Sequence, residues 1–335
     1  MKNRNEGEEN MDNHARYPQE PAVYFVILNW NQAQMTIECL ESLQKQSYPK
    51  ITIIVVDNGS VDGSPEKIRG HFPGVTVLEN EKNEGYSKGN NIGIRYALMQ
   101  GANYIFLLNN DTVVEPTMLS LLMDVANSDD HIGIVGPTMY YFDQKEVLWG
   151  GENSIDWQRA QIIRKRMGER VSEEALNGLE PKQVDFIDSC ALLIKREVLD
   201  QIGFMDEKYF INFDDVDLNV RTTQAGYKIM YVPKARMWHK VSAAIGIASP
   251  ATTYYMTRNT LLFFWSHGKG VNRFLGIIKV LSRHIHNIGA WTIKSKYHNK
   301  VFQQRRAASI MGMRDFFMGV SGKMPEDVVS ACYSK

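Results

Sequence analysis

From residue 22 onward, short runs of β-branched and aliphatic residues alternate with segments of helical spacing, and this alternation restricts the fold more than any other feature. Five runs have the length and composition of buried strands: AVYFVIL (22–28), ITIIVVD (51–57), VTVLEN (75–80), YIFLLN (104–109) and IGIVGP (132–137). Strands that are apolar throughout and alternate with helices are typical of a parallel sheet covered on both faces. The sequence therefore predicts an α/β fold with a mostly parallel, Rossmann-like sheet flanked by helices.

The second half of the chain departs from this alternation. Residues 139–183 are mixed and polar, which predicts a hairpin and a mobile loop around residues 168–182. Three further elements are expected: a strand running into a helix (184–203), a helix ended by a glycine (214–226) and a strand (227–233). After Pro250, apolar residues recur at helical intervals, which predicts an extension of long amphipathic helices.

Charge is distributed unevenly along the chain, although the formal net charge is +0. Residues 1–249 hold 25 Lys and Arg against 35 Asp and Glu, whereas residues 250–335 hold 13 against 3. Between Pro250 and Arg314 there is no acidic residue at all. Such asymmetry usually indicates a polyanionic or membrane-surface partner for the basic part. The acidic front part argues against nucleic-acid binding.

Several classes of protein are disfavoured by short segments of the sequence. The apolar run TLLFFW (260–265) is far shorter than the roughly 20 residues that span a bilayer. Residues 1–20 are polar and lack the apolar stretch of a signal peptide, which predicts a disordered leader on a cytoplasmic protein. The three cysteines, Cys39, Cys190 and Cys332, are widely spaced, so neither a zinc site nor a disulfide framework is expected.

Polar residues follow the predicted strands, at the edge where α/β sheets bind ligands. In VVDNGSVDGS, Asp57 and Asn58 end a strand, and a carboxylate there can accept hydrogen bonds from a base or from ribose hydroxyls. The alternative is a plain turn leading to a helix capped at Ser64. The stretch NEGYSKGNNIG (83–93) supplies glycines and amides before a helix, which suits close approach of a polar ligand.

A third polar segment, LLNNDT (107–112), places Asp111 at the same sheet edge. A divalent ion held by Asp111 could also bind diphosphate oxygens, because Mg²⁺ and Mn²⁺ prefer hard oxygen ligands. The alternative is a turn that caps the helix at 115–116. His239, in MWHK after a later strand, is either a further metal or diphosphate ligand or a structural histidine.

The segment NFDDVDLNVR (212–221) crowds three carboxylates against apolar residues, where burial and mutual repulsion both disfavour them. A solvated helix start is the simplest explanation, because acids favour a helix N-terminus. A carboxylate of Asp214 or Asp215, partly shielded by Phe213, is also a plausible general base for a hydroxyl group. Asp217 is expected to form a salt bridge with Arg221, one turn further along the helix.

Taken in order, these segments resemble a family 2 glycosyltransferase of the GT-A fold, close to the bacterial rhamnosyltransferase-like branch. The resemblance covers about residues 22–265 and rests on VILNWN, VVDNGSVDGS, NEGYSKGNNIGI, LLNNDT, FDDVDLNVRTTQAGYKIMYVPKARMWHK and YYMTRN. It implies inverting transfer of a sugar from a nucleotide-diphosphate-sugar donor to a hydroxyl of an acceptor, with Mg²⁺ or Mn²⁺ as cofactor.

The resemblance also assigns roles to individual residues. Donor binding is assigned to the polar residues at the strand ends: Asn29, Asn31, Asp57, Asn58, Asn83, Gly85, Asn90, Asn110 and Asp111. The metal is assigned to Asp111, in the family's DXD element, and to His239. Asp215 matches the catalytic base. The acceptor side is assigned to Asp214, Ser189 and Arg258.

Three residues depart from the family pattern. Asn109 stands where the DXD element often has an acid, which leaves Asp111 as its one carboxylate and predicts low metal affinity. Asp214 replaces the usual Glu beside the base and shortens its reach. Ser189 replaces a Gly that often lines the acceptor side, so the resemblance does not identify the acceptor.

Rival enzyme classes lack their motifs, because the first strand leads into NWNQAQ instead of G-x-G-x-x-G and no P-loop is present. The resemblance therefore predicts a transferase that acts on glycan or polyprenyl-linked acceptors in cell-surface polysaccharide synthesis. A non-catalytic nucleotide-sugar-binding relative is the alternative.

The expected organisation is a leader (1–20), a catalytic domain (21–248) and a basic helical region (249–335). The catalytic domain is expected to comprise a nucleotide-binding half (21–137) and an acceptor half (138–248). The basic helices are expected either at an anionic membrane surface on the inner face of the membrane, or packed on the core or another subunit as a dimer.

Overall fold

A computed structural model of the chain describes residues 20–241 and 249–333, so almost all of the predicted leader lies outside the described residues. The first part follows the predicted alternation. Its elements are β1 (Val23–Asn29), α1 (Ala33–Leu43), β2 (Ile51–Asp57), α2 (Ser64–His71), β3 (Thr76–Glu79), α3 (Tyr86–Met99), β4 (Tyr104–Asn109), β5 (Thr112–Val114), α4 (Met118–Ala126) and β6 (Ile132–Tyr141). The five predicted strands are all present, and β6 continues beyond its expected end.

The second part contains more short strands than the sequence predicts. Its elements are β7 (Leu148–Gly150), β8 (Asn153–Asp156), β9 (Gln161–Arg164), α5 (Glu173–Asn177), β10 (Lys182–Gln183), β11 (Ala191–Lys195), α6 (Arg196–Ile202), α7 (Asp214–Gln224) and β12 (Lys228–His239). The expected hairpin is formed by β8 and β9. Within the expected loop at 168–182, the Ser172 hydroxyl caps α5 by accepting a hydrogen bond from the Ala175 amide.

The sheet is parallel in its first half and mixed as a whole. Its strand order is β10-β12-β6-β11-β4-β1-β2-β3, with β5 beside β12 and β7 beside β6. Strands β4, β1, β2 and β3 are mutually parallel, whereas β11 runs antiparallel to both of its neighbours, β4 and β6. No long crossover helix separates β6 from β11, only hairpin strands and the short α5, and such connections permit an antiparallel return.

Apolar side chains fill both faces of the sheet. Along β1, Val23, Phe25 and Ile27 point into one core and Val26 into the other, as the two-residue period of a strand requires. The ring of Phe25 stacks on that of Phe106 from the neighbouring β4, with centroids 4.7 Å apart. Each fully buried side chain of this size contributes about 1.5–3 kcal/mol.

Helix α3 packs unusually close to the sheet because it carries glycine on its inner face. A Cβ atom at Gly93 would lie 2.4 Å from a methyl carbon of Val26 and 2.9 Å from one of Val56. Such distances are below van der Waals contact, so only glycine fits there. This close packing brings the start of α3 up to the ends of β1 and β2.

Strand β12 extends past Pro233, where the sequence predicted its end. A register irregularity between Val232 and Arg236 accommodates the proline, since proline cannot donate a ladder hydrogen bond. Beyond it, β12 pairs with the unpredicted β5, and His239 lies opposite Thr112. The pairing brings His239 next to Asp111.

The region after Pro250 forms helices α8 (Pro250–His267), α9 (Gly270–Ile293), α10 (Lys300–Phe317) and α11 (Glu326–Tyr333), with a short 3-10 turn (Ser295–Tyr297). Phe263 of α8 packs against Phe213, which directly precedes α7, and against Trp157 of the β8–β9 hairpin. In the part of the chain that the structure describes, no helix is both long and apolar enough to cross a bilayer.

Candidate active site

The ends of β1, β2 and β4 meet at one edge of the sheet. Asn29 is in register with Asp57, and Leu28 with Asn109. A cavity of about 300 Å³ opens at this edge. Six of the predicted site residues line it: Asn58, Asn83, Gly85, Asn110, Asp111 and His239. The structure thus brings residues from four separate segments to one cavity, and their roles in binding a donor stay a prediction.

Three other predicted donor residues form a network at the end of β1 and β2. The carboxylate of Asp57 accepts hydrogen bonds from Asn29 Nδ2 (2.7 Å), Ser60 Oγ (2.7 Å) and the Ser60 amide (2.8 Å). The Asn31 amide donates to Ser60 Oγ, and the Asn31 side chain accepts from Val61. These hydrogen bonds stabilise a turn, as the alternative predicted, but the predicted cap at Ser64 is wrong, because α2 begins at Ser64 and its N-cap residue is Gly63, with no side-chain cap. Contact of these residues with a donor stays a prediction.

The second predicted loop is organised around Asn58. Its side-chain amide donates to Asn83 Oδ1 (3.2 Å) and to the Gly85 carbonyl (3.1 Å). Gly85 has φ +88°, and a Cβ there would lie 2.5 Å from the Phe210 ring, so glycine is required for both reasons. Asn90 lies within α3, where its side chain donates to the Tyr86 carbonyl.

Tyr86 is a site residue that the sequence analysis missed. Its hydroxyl lies 2.9 Å from Asn109 Oδ1 and 3.0 Å from the Ser189 carbonyl, so it bridges β4 to the segment before β11. Burial raises the pKa of this hydroxyl well above its ordinary value, so it stays protonated and donates. The only signal in the sequence was an aromatic residue directly after the loop glycine Gly85.

Asp111 and His239 form the candidate metal site. The buried Asp111 Oδ1 lies 3.1 Å from His239 Nε2, and the edge of Trp149 packs against the imidazole with centroids 4.7 Å apart. The Nδ1 atom of His239 is buried and has no hydrogen-bond partner among the described residues.

The separation of these two atoms fits adjacent ligands of one divalent ion. Ligands about 2.1 Å from a metal and at right angles to each other lie about 3 Å apart. Within residues 20–241 and 249–333, no group of three or more His, Cys, Asp or Glu side chains is arranged to hold a metal. Asn109 adds no carboxylate, and its amide oxygen faces Tyr86. Asp111 and His239 therefore fit two coordination positions.

Asp214 and Asp215 begin α7 but differ in accessibility. Asp214 is buried and accepts a hydrogen bond from Ser87 Oγ (3.2 Å), whereas Asp215 remains partly exposed. The Asp215 carboxylate accepts from the amides of Ser189 (3.2 Å) and Val216 (2.8 Å). Burial raises the pKa of both carboxyl groups, and the neighbouring Asp215 raises that of Asp214 further. Of the two residues, Asp215 is the more exposed.

A partly buried ion pair beside Asp215 was also missed. Asp188 accepts hydrogen bonds from Arg164 Nε (3.0 Å) and Asn153 Nδ2 (2.8 Å), and Arg164 lies over the Trp149 ring. Besides burial, the Asp188 carboxylate raises the pKa of Asp215, while the Arg164 guanidinium lowers it. The sequence could not predict this pair, because the β8–β9 hairpin brings Arg164 to the site and the sequence does not show where that hairpin packs.

Asp215 lies at the same sheet edge as Asp111, because its carboxylate accepts from the Ser189 amide just before β11, and the start of β11 pairs with the end of β4. Both carboxylates, together with Asp188, add to the effect of burial in raising the pKa of the Cys190 thiol well above its ordinary value. Tyr86 lines the cavity with Asp111 and also contacts the carbonyl of Ser189, whose amide hydrogen-bonds to Asp215.

Arg258 lies outside this cavity. Its guanidinium is buried and donates to the carbonyls of Gly322 (2.8 Å) and Tyr209 (3.2 Å), behind the segment that leads into α7. The expected salt bridge between Asp217 and Arg221 is present, with Nε 2.8 Å from the carboxylate.

Comparison with known proteins agrees with this architecture. The Pyrobaculum calidifontis mannosyltransferase PcManGT, solved with GDP-Man and Mn²⁺, superposes with a TM-score of 0.57 at 15% identity, covering 90% of this chain and 88% of that one. The likeness confirms the predicted GT-A fold.

Two curated relatives are rhamnosyltransferases. The Mycobacterium tuberculosis N-acetylglucosaminyl-diphospho-decaprenol L-rhamnosyltransferase is 27% identical over 229 residues, which is 62% of this chain and 72% of that protein. The Shigella flexneri dTDP-rhamnosyl transferase RfbF is 26% identical over 311 residues, 90% and 97% of the two chains.

Residues 24–203 match the sequence profile of Glycosyl transferase family 2, which is more than half of the chain. The matched region contains β1 to β4, the DXD element and the Asp188–Ser189 segment. The predicted enzyme class, a glycosyltransferase, is confirmed by this match. The chain therefore belongs to glycosyl transferase family 2.

Proposed function

We propose that this enzyme transfers a sugar from a nucleotide-diphosphate donor to a hydroxyl of a glycan or polyprenyl-linked acceptor, with inversion at the anomeric carbon. The observation that carries the proposal is the position of Asp111, His239 and Asp215 around Tyr86 and Cys190 at one sheet edge. The relatives named for decaprenol-linked and dTDP-rhamnosyl substrates support rhamnose-type donors and lipid-linked acceptors. With such acceptors the enzyme works at the inner face of the membrane, in polysaccharide synthesis.

The donor occupies the cavity at the ends of β1, β2 and β4. Asn58 and Asn83 line its nucleotide side, and Asp111 with His239 lines its diphosphate side. Asp57 acts on the nucleotide by holding the loop at Ser60 in place. Parallel strand ends bind nucleotides in many α/β folds for this geometric reason.

Asp111 and His239 would hold a divalent cation, Mg²⁺ or Mn²⁺, which would supply positive charge to the leaving diphosphate. The edge-on contact of Trp149 fixes the imidazole plane, which keeps Nε2 directed at the carboxylate. The solved relative that contains Mn²⁺ supports this cofactor.

Asp215 is the general base. Its partly exposed carboxylate takes the proton from the acceptor hydroxyl as that oxygen attacks the anomeric carbon. The bond from the anomeric carbon to the diphosphate oxygen breaks, and the electron pair leaves with the diphosphate. The Ser189 amide orients the carboxylate for this transfer. One in-line displacement inverts the configuration at the anomeric carbon.

The test is the variant Asp215→Asn. General-base catalysis typically contributes ~10²–10⁴-fold, so kcat should fall by about that factor while the Kd for donor remains unchanged, because Asp215 does not line the donor cavity. Asp200→Asn, an exposed change on α6, is the matched control and should keep wild-type turnover. Wild-type kcat in Asp215→Asn would remove the base from this mechanism.

A further inference from the structure

The outward face of α9 carries a stripe of apolar side chains, which the exposed Ser282 and His286 interrupt. Val271, Phe274, Leu275, Ile278 and Ile285 recur at spacings of three, four and seven residues and are 42 to 68% exposed. Ile293 continues the same stripe at the last turn. At 1.5 Å per residue, the stripe from Val271 to Ile285 is about 21 Å long.

This face is unusual because α9 already has a buried side. Gly276, Ile277 and Val280 face the protein interior, on the opposite side of the helix from Ile278. An amphipathic helix on a protein surface normally directs charged and polar residues outward. Contiguous exposed apolar side chains of this extent indicate a binding surface.

An exposed aromatic residue extends the stripe. Trp265, at the end of α8, packs edge-to-face against Phe274 with ring centroids 5.6 Å apart and is itself 40% exposed. Arg273 lies over the Trp265 ring, 5.3 Å from its centroid. A tryptophan beside a cation is the combination found where helices lie at a membrane–water interface.

The charge around the stripe is positive and uncompensated. No acidic residue occurs between Pro250 and Arg314. Lys279 and Arg283, which flank the stripe, donate to the neutral carbonyls of Gln158 and Arg159. Among the described residues, no Lys or Arg from Arg258 to Arg306 forms an ion pair with a carboxylate.

We propose that the outward face of α9 docks on an anionic lipid surface, with the helix lying in the plane of the interface. A second copy of this chain is a poorer partner for this face, because dimerisation would bring two cationic surfaces without acidic residues together. Anionic headgroups would neutralise the positive charge. The leader, residues 1–19, has too few apolar residues to cover the stripe. The biological role of this docking rests on the proposed function, because an enzyme bound to the membrane surface could reach a lipid-linked acceptor.

The experiment is flotation of the full-length protein with vesicles, without donor or acceptor. Vesicles of phosphatidylcholine are compared with vesicles containing about 30 mol % phosphatidylglycerol. We expect the wild-type protein to bind the anionic vesicles only. The double variant Ile278→Glu/Ile285→Glu should have a partition coefficient that is lower by about tenfold or more. Met99→Glu, the same kind of change at an exposed position on the catalytic part, should bind as wild type.

Two further measurements keep the outcomes distinct. Circular dichroism and transfer to a detergent-solubilised acceptor should be unchanged in the double variant, because the stripe lies on a different element from the site. Loss of transfer by Asp215→Asn with vesicle binding intact would separate the two proposals. Equal vesicle binding by the double variant and wild type would overturn the docking face. So would a dimer in sedimentation that the double variant abolishes.

Discussion

Adjacent residues can have different chemistry when a helix start places them in different surroundings, and Asp214 and Asp215 show this. Successive side chains of a helix point about 100° apart, so Asp214 is buried against Ser87 while Asp215 is partly exposed. The sequence indicated that one of the pair was a base. The choice of Asp215 came from the family resemblance, and the difference in exposure supports it. The ion pair that adjusts its pKa could not be predicted, because Arg164 belongs to a hairpin with no positional signal in the sequence.

The ion pair makes the pH dependence of catalysis testable in two directions. The base must be ionised, so kcat/KM should rise with pH through the raised pKa of Asp215. Asp188→Asn removes a negative charge that raises this pKa, and the acid limb should move to lower pH. Arg164→Gln removes a charge that lowers it, and the limb should move to higher pH. Measured pH profiles in which both limbs move the same way would contradict the assignment.

The metal site yields a second prediction at this scale. His239→Ala removes one of two ligands, and the Mn²⁺ concentration for half-maximal activity should rise at least about tenfold. His131→Ala, an exposed histidine paired with Asp129, is the control. A Mn²⁺ titration that is identical for His239→Ala and wild type would show that the ion binds elsewhere.

At the scale of elements, strand existence was predictable and strand pairing was not. The buried strands β1, β2 and β4 carry a continuous apolar signal that few other structures produce. The three-residue β5 has no such signal. Pro233 indicated that β12 would end there, but a register irregularity accommodates the proline and the strand continues. The convergence of His239 on Asp111 depends on that pairing, so its geometry could not be derived from the sequence.

Close packing of α3 on the sheet gives a prediction of stability. Gly93→Ala should lower the free energy of unfolding by about 1–3 kcal/mol, because the new methyl group would overlap Val26 and Val56. Gly70→Ala, in α2 with no atom within 4 Å of the new Cβ, tests helix propensity alone and should be neutral or stabilising. Denaturant unfolding measures both. Equal stability of the two variants would mean that α3 shifts away at little cost.

At the scale of the whole molecule, the C-terminal helices support the site because a side chain of α8 binds backbone carbonyls of the segment before α7. Asn259 of α8 donates to the carbonyls of Tyr209 (2.9 Å), Ile211 (2.8 Å) and Asn212 (3.0 Å), in the segment that leads into α7. Within this segment Phe210, Asn212 and Phe213 have positive φ, which is strained for residues with a side chain. The sequence analysis identified a helical extension, but it could not show that the extension holds the chain in front of the base.

Asn259→Ala should therefore impair both stability and catalysis. The Tyr209 carbonyl keeps Arg258 as a donor, but the partly buried carbonyls of Ile211 and Asn212 lose theirs, which costs about 1–3 kcal/mol. The value of kcat should fall because the strained segment before Asp215 can relax. Asn272→Ala, an exposed change at the start of α9, should have neither effect. The measurements are thermal unfolding and donor turnover; a destabilised variant with unchanged kcat would limit Asn259 to a structural role.

The hydrogen bonds of Asn259 also limit how such enzymes can be recombined. A chimaera that takes its C-terminal helices from another member of the family can lose the amide that binds three carbonyls of a strained connection. Acceptor preference and chemical competence would then change together, and neither could be read separately. Exchanges intended to alter specificity should therefore take residues 208–259 from a single parent protein.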